Sequence, residues 1–483
     1  MEQNIAAGTQ KATKDKTVTL TRDQENAKAL AALLGIEEDD AAQRLGLRIA
    51  VNFDPTNAAA AELGQHVIEM LGRTVQFAGI PDNGEFAAEI VIGPRLPVTS
   101  AVAAVFAGED GEEFVISRSD PLPRCDLAFP RVLLVVAACY IAAAALRAAL
   151  GPDFPIRNAS PIVLSWSQLF GPDFRRLAQA VDIGETYLAG AGAVGHGFLY
   201  SLRALDVSGT LYITDPKKVT SGGLNRCLFF GSGDLNYPKA GRLCELAQPD
   251  FSRLALVPVD KELDEARRLR GDDFLIGRLV VAVDSRRARR SLQAALPGEV
   301  FDSSTTDVTE IVLHFNRQPT DLACLSCVYP ENDRERLHEE NVAEALGLTI
   351  DDVRLGFITP TVASKISARY PDLTPENLAG RAFDTVYKEL CGVGKLKIVG
   401  GQQILAPFSF VSVLAGAFLA IEFALRVGEP EVERFNYWRA SPWHSPVPEL
   451  RQFRPRDLHC ELCSRAAIRR VLESLWPRRP NAA

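Results

Sequence analysis

Residues 187–197 read "YLAGAGAVGHG", and the interpretation of the chain turns on them. An apolar run of strand type ends in three glycines, Gly190, Gly192 and Gly195, and "FLYSLRAL" (198–205) follows with helical character. In a strand–loop–helix unit, glycines let the backbone approach phosphates. The helix N-terminus then supplies unpaired N–H groups and the positive end of its dipole. Asp215 ends the next strand candidate, "LYITD", 20 residues after Gly195, where an acidic side chain can bind ribose hydroxyls. These features suit a dinucleotide and ATP equally well.

Working outward, "GETYLAGAG" (184–192), "GTLYITD" (209–215), "LALVPVD" (254–260) and "RLVVAVD" (278–284) are strand candidates separated by helical or loop segments. This alternation over residues 166–330 predicts a parallel, doubly wound sheet. Residues 21–165 read as a second α/β unit. "LRIAVNF" (47–53) and "AAEIVIG" (87–93) are of strand type, and "AAAAELGQHVIEMLG" (58–72) has helical spacing. This unit has no glycine fingerprint, and the two halves could be divergent copies. Residues 331–403 are more charged and helical, as in an insertion. Residues 404–483 hold a long apolar helix at 408–427 and a tail rich in Pro, Arg and Trp, expected to be ordered but irregular. Residues 1–20 are polar and read as a disordered tail without a signal pattern.

The chain has 483 residues, 47% hydrophobic and 24% charged, as expected for a globular protein of two or three domains. A net charge of −8 disfavours a nucleic-acid partner. "VLLVVAACYIAAAA" (132–145) is too short to span a bilayer. "ILAPFSFVSVLAGAFLAI" (404–421) is interrupted by Pro407, Ser409 and Ser412 and followed by Glu422, so it reads as a buried helix. A cytoplasmic protein without a membrane partner is expected. Nine cysteines favour metal or catalytic use over a disulfide scaffold. Two pairs stand out, "CLSC" (Cys324, Cys327) and "CELC" (Cys460, Cys463), with 132 residues between them. That distance excludes a zinc ribbon but not a Cys₄ zinc site tying the tail to the core. Redox use is the alternative, though neither pair has a thioredoxin-like strand–helix setting, and His459 could compete as a ligand.

The segment "DPKKVTSGGLNRCLFFGSGDLNYPKAGRL" (215–243) separates the two nucleotides. It resembles the ubiquitin-activating superfamily, which includes the adenylyltransferases that activate sulfur-carrier proteins for thiamine and molybdopterin synthesis. The family pattern is a ribose-binding Asp, then Val, then Ser-Asn-Leu-Asn-Arg-Gln, then Pro-Lys or Lys-Ala. Asp215, Val219, Leu224, Asn225, Arg226, Pro238, Lys239 and Ala240 fall on it in register. Gly222–Gly223 replaces Ser-Asn, and Cys227 replaces Gln. A dehydrogenase has no reason to place Asn-Arg and Lys here. An adenylating enzyme must neutralise a triphosphate, with Arg giving bidentate contacts and Lys a point charge. In "LVVAVDSRRARR" (279–290), Asp284 ends a strand and Arg289 lies five residues later. The family has Asp-Asn-x-x-x-Arg at this point, and its Asp holds Mg²⁺ on the ATP phosphates. Ser285 stands for that Asn, and helix capping is the other reading of Asp284.

The resemblance implies a Rossmann-like adenylation domain preceded by a degenerate, inactive adenylation-like α/β domain, with a structural zinc site. It implies ATP on Gly190, Gly192, Gly195, Asp215, Asn225, Arg226, Lys239 and Asp284, Mg²⁺ on Asp284, and Zn²⁺ on Cys324, Cys327, Cys460 and Cys463. In thioester-forming members the catalytic cysteine lies between the zinc pair and the last helix. Cys391 in "YKELCGVGKLK" (387–397) stands there, beside Lys395 and Lys397, which favour a thiolate. An inert buried cysteine is the other reading. The implied activity is adenylation of the C-terminal glycine of a ubiquitin-like protein, a thioester on Cys391, and transfer to a conjugating enzyme. By analogy, this resembles activating enzymes of bacterial antiviral operons. The α/β halves would pair within one chain or across a homodimer. An arginine from the partner domain is also implied, and no motif here marks it. The alternatives are an adenylyltransferase for a sulfur carrier or peptide without a thioester step, an NAD(P)-dependent oxidoreductase, and a scaffold with a degenerate site.

Overall fold

The computed structural model describes residues 21–126, 128–156, 161–271, 274–354, 358–379, 405–428, 435–447 and 450–477, with 383, 386, 387 and 390. The described residues divide into two compact units, one within 334–390 and one made of residues 21–333 and 405–477. In the smaller unit, helices Pro360–Arg369 and Pro375–Leu378 belong to a helical cluster whose apolar core includes Val342, Leu346, Ile366, Leu378 and Phe383.

The larger unit contains two sheets. The first comprises β1 (Arg48–Asn52), β2 (Phe77–Gly79), β3 (Ala88–Ile92), β4 (Ala103–Asp110), β5 (Glu113–Ser117) and β6 (Ile162–Ser165), in the order β2-β1-β3-β4-β5-β6. The second comprises β7 (Val181–Ala189), β8 (Val207–Thr214), β9 (Leu254–Val259), β10 (Arg278–Val281), β11 (Glu299–Thr305), β12 (Ile311–Arg317), β13 (Tyr437–Ala440) and β14 (Arg451–Gln452). Its order is β14-β13-β12-β11-β10-β7-β8-β9. The four strands expected around the glycine motif are β7 to β10, and they are parallel where they pair.

The two sheets repeat one plan. β1 lies between β2 and β3, as β7 lies between β8 and β10. β4 continues the parallel run after β3, as β11 does after β10. Two antiparallel strands then follow in each, β5 and β6 in one, β12 and β13 in the other. The first strand of each half leads into a helix, Ala58–Leu71 or Ala193–Leu202. A long apolar helix precedes the last antiparallel strand of each plan, Val132–Leu150 or Ser409–Gly428.

These four helices pack between the sheets in one continuous core. Val132–Leu150 runs past the apolar stretch marked by the sequence, because "LRAAL" (146–150) continues in good helix formers. It and Ser409–Gly428 are long and apolar enough to cross a membrane, yet 89% of each apolar window is buried inside the protein. Ser409–Gly428 crosses the Ala193–Leu202 helix at near backbone contact. A Cβ on Gly416 would lie 2.2 Å from the Gly197 carbonyl carbon. The tail, expected to be irregular, instead adds β13 and β14 to the second sheet, because its Trp438 and Trp443 are buried in the core.

Candidate functional site

Strand register assembles the site. Ala189 pairs with Thr214 on one side and Val281 on the other, so β7, β8 and β10 end abreast. Their C-terminal loops carry Gly190, Asp215 and Asp284 to one edge, at the point where strand order reverses on either side of β7. Ligands bind at such a switch point in open α/β sheets.

The glycines of the loop have separate reasons. Gly190 has φ +103°, and a Cβ there would lie 2.7 Å from the Ala282 carbonyl oxygen. Gly192 is the N-cap of the Ala193–Leu202 helix. A Cβ on Gly195 would lie 2.2 Å from the Gly190 carbonyl oxygen, so the helix can rest on the loop only without a side chain. The first half lacks this device. After β1 comes Phe53, whose ring sits so close to Gly64 that a Cβ there would fall 2.4 Å from it.

Asp215 is buried, and its carboxylate bridges two loops. Oδ2 accepts from the Ala191 N–H at 2.9 Å and Oδ1 from the Lys217 N–H at 2.8 Å. It thereby braces the glycine loop. Asp284 is exposed and faces Lys217, with Nζ 3.1 Å from Oδ2. Burial pulls the Lys217 ammonium down, but Asp284, followed by Asp215, outweighs it and holds the ammonium above its usual range. Lys217 was not anticipated, although "DPKK" places it two residues beyond the strand-end aspartate. Arg289 fixes the turn that carries Asp284. It is buried, donates to Asp302 Oδ1 at 2.5 Å and also bonds the Val283 carbonyl.

Asn225 and Arg226 lie on the short 3-10 turn at Ser221–Asn225 and just after it. Asn225 is fully buried, with its amide engaged at both ends. Nδ2 donates to Asn26 Oδ1 at 3.0 Å, and Oδ1 accepts from Arg226 Nη1 at 2.6 Å. Its side chain thus links Asn26 of the N-terminal half to Arg226. Lys239 opens the Lys239–Ala247 helix and is half-buried, its N–H bonded to the Lys217 carbonyl at 2.9 Å. His196, in the first turn of the Ala193–Leu202 helix, accepts from the Phe229 N–H at 3.3 Å through Nδ1. Burial, then the charges of Lys239 and Arg73, push its basicity far down and keep it neutral. Cys391 lies outside the described residues.

The four CxxC thiols converge although the pairs are far apart in sequence. Their Sγ atoms lie within 4.8 Å of one another, with Cys324–Cys327 at 3.8 Å, Cys324–Cys460 at 3.7 Å and Cys327–Cys463 at 3.3 Å. Zn–S bonds of about 2.3 Å in a tetrahedron put sulfurs about 3.8 Å apart, so the cluster fits zinc. The Asp457 N–H points at Cys327 Sγ, 3.3 Å away, as suits a thiolate. His459 is exposed at the rim. Backbone bonds from Ala323 to Arg454 and from Arg456 to Asp321 clasp the tail to the first knuckle.

Residues 20–171 match the E1 N-terminal domain family (E1-N). The match covers the first of the two α/β halves. A protein of Sinorhizobium fredii named "Uncharacterized protein y4jF" is 25% identical over 413 residues, covering 80% of this chain and 78% of that protein. Among solved structures, E. coli MccB with succinimide aligns at 12% identity and a TM-score of 0.34, over 75% of this chain and 98% of that one. E. coli MccB with ATP aligns at 13% identity and the same TM-score, over 74% and 97%.

Proposed function

We propose that the E1-like chain is a cytoplasmic ATP-dependent adenylating enzyme that activates the C-terminal glycine of a ubiquitin-like protein. The observation that carries this is the alignment of three parallel strand ends, which bring the glycine loop, Asp215 and the Lys217–Asp284 pair to one edge of the second sheet. The loop and its helix N-terminus take the phosphates, and Lys217, Arg226 and Lys239 add positive charge. Asp284 is the carboxylate that would hold Mg²⁺, which neutralises phosphate charge when bound; an exposed strand-end carboxylate suits a cation that takes one or two carboxylates plus phosphate oxygens.

The substrate carboxylate oxygen attacks the α-phosphorus of ATP. The bond to pyrophosphate breaks, leaving an acyl-adenylate. This step rests on positioning and charge neutralisation. In the second step the thiolate of Cys391 attacks the acyl carbon, the C–O bond to AMP breaks, and a thioester remains for a conjugating enzyme. An antiviral conjugation pathway is the setting we assign to it.

The test is ATP–pyrophosphate exchange in the presence of a ubiquitin-like protein encoded beside this chain. ATP-dependent exchange with a thiol-sensitive adduct that disappears in Cys391→Ala supports both steps. Exchange without an adduct leaves an adenylyltransferase alone. Absence of exchange, with thermal stabilisation by NAD and not by ATP·Mg²⁺, overturns the reading in favour of an oxidoreductase.

A further inference from the structure

The N-terminal half sends one arginine into the second half, at the segment that carries Asn225 and Arg226. Arg73 follows the Ala58–Leu71 helix, and its guanidinium donates to three carbonyls of that segment. Nη1 bonds Leu224 at 2.9 Å and Phe230 at 2.8 Å, and Nη2 bonds Leu228 at 2.8 Å. These three oxygens bracket a turn in which the N–H groups of Arg226 and Cys227 both return to the Gly223 carbonyl. A second link runs through Asn26, in the helix Arg22–Leu34. Its Nδ2 donates to the Arg73 carbonyl at 2.7 Å, while its Oδ1 accepts from Asn225 Nδ2. Asn225 Oδ1 in turn accepts from Arg226 Nη1, which also bonds the Gly222 carbonyl at 3.1 Å. The bonds form a closed circuit from Arg73 through Asn26, Asn225 and Arg226 back to the turn that Arg73 grips.

We infer that Arg73 and Asn26 are positioning residues, by which the half without a glycine loop fixes the Arg226 guanidinium at the phosphate end of the other half's site. The inference rests on the adenylation reading for what Arg226 touches, and on the described geometry for the clamp itself. The physical reason is the length of arginine. Its freedom is costly to restrain, and a side chain bound at only one end samples many rotamers. Here two acceptors hold one nitrogen of Arg226; one of them, Asn225, is itself bonded to Asn26 of the neighbouring half, and Arg73 grips the carbonyls of the same segment. Arg73 donates to carbonyls rather than to a ligand, and its planar fork spreads its donors over two nitrogens in fixed directions, unlike the compact ammonium of lysine.

Two measurements on the full chain separate the clamp from the adenylation reading. The first is hydrogen exchange of amides in residues 221–231 without nucleotide. In Arg73→Ala and Asn26→Ala these amides should exchange about tenfold faster or more, as loss of a charge-assisted bond predicts. Amides of β1 should stay unchanged. Arg73→Lys should be intermediate, and it serves if Arg73→Ala does not fold. Unchanged exchange at 221–231 in all three variants overturns the clamp. The second is ATP·Mg²⁺ affinity by titration calorimetry in Arg73→Ala, Arg226→Ala and the double variant. If Arg73 acts through Arg226, each single variant weakens ATP about tenfold and the double is no worse than Arg226→Ala. Losses that multiply overturn the positioning role. Wild-type protein that binds no ATP removes the adenylation reading and leaves the exchange result to decide the clamp.

Discussion

A methyl group on Gly195 would meet the Gly190 carbonyl oxygen at 2.2 Å, and no rotation of a side chain can relieve it. Gly195→Ala is therefore expected to push the helix off the glycine loop. Forcing an extra carbon into a close-packed contact costs about 1–3 kcal/mol. A lowered urea midpoint and loss of ATP-induced thermal stabilisation would check both effects. A second expectation concerns His314 in β12, fully buried with Nε2 2.8 Å from the Ala323 carbonyl oxygen. Burial, with the charges of Arg454, Arg426 and Arg289, lowers its pKa to about 4 against the pull of that bond. The unfolded chain takes up this proton near the usual 6.5, well before the folded chain does. Stability from neutral His314 is thus intact above about pH 6.5 and falls as the pH drops toward 4, by roughly 3 kcal/mol in all. Denaturation midpoints across this range should show the slope, and His314→Gln should flatten it. Gly190 was legible from its place after a strand. Lys217, Arg73 and Asn26 were not, because nothing in their local sequence says what lies opposite them in space.

At the scale of elements, Ser409–Gly428 crosses Ala193–Leu202 at near backbone contact. Gly416 and Gly197 let the backbones touch, and a Cβ on Gly416 would also lie 2.2 Å from the Phe198 nitrogen. Gly416→Ala should lower the midpoint of unfolding by an amount worth about 1–3 kcal/mol, or more where the helices cannot slide. The Cys₄ cluster is the other joint. It fits one zinc ion per chain, countable by elemental analysis. Cys460→Ser should lower that count and leave residues 450–477 open to protease. With free zinc a thousandfold above its dissociation constant, binding contributes about 4 kcal/mol, and chelation should remove it, read as a lower Tm. The CxxC spacing announced the ligands. The tail's two strands were not foreseen, because β13 and β14 are only four and two residues long and depend on pairing with β12 and with each other for definition.

At the scale of the molecule, both α/β halves share one hydrophobic core through four helices between two sheets. The halves are therefore expected to unfold together. Calorimetry of a chain lacking residues 334–401 should show a single transition for the two sheets, and two separable transitions would contradict the shared core. The same packing explains why the two most apolar helices do not read as membrane spans in this fold: each finds an apolar partner surface inside the protein.

Sequence alone determined the parallel α/β class, the glycine loop, the strand-end aspartates and the four thiols. Each of these is a local signal, fixed by hydrophobic period, by backbone freedom or by ligand spacing. Only the tertiary structure decided that the strand ends stand abreast, that the four thiols meet across 132 residues, and that Asn225 faces Asn26. Those outcomes depend on register and on packing between distant segments, and no short window of sequence contains both partners.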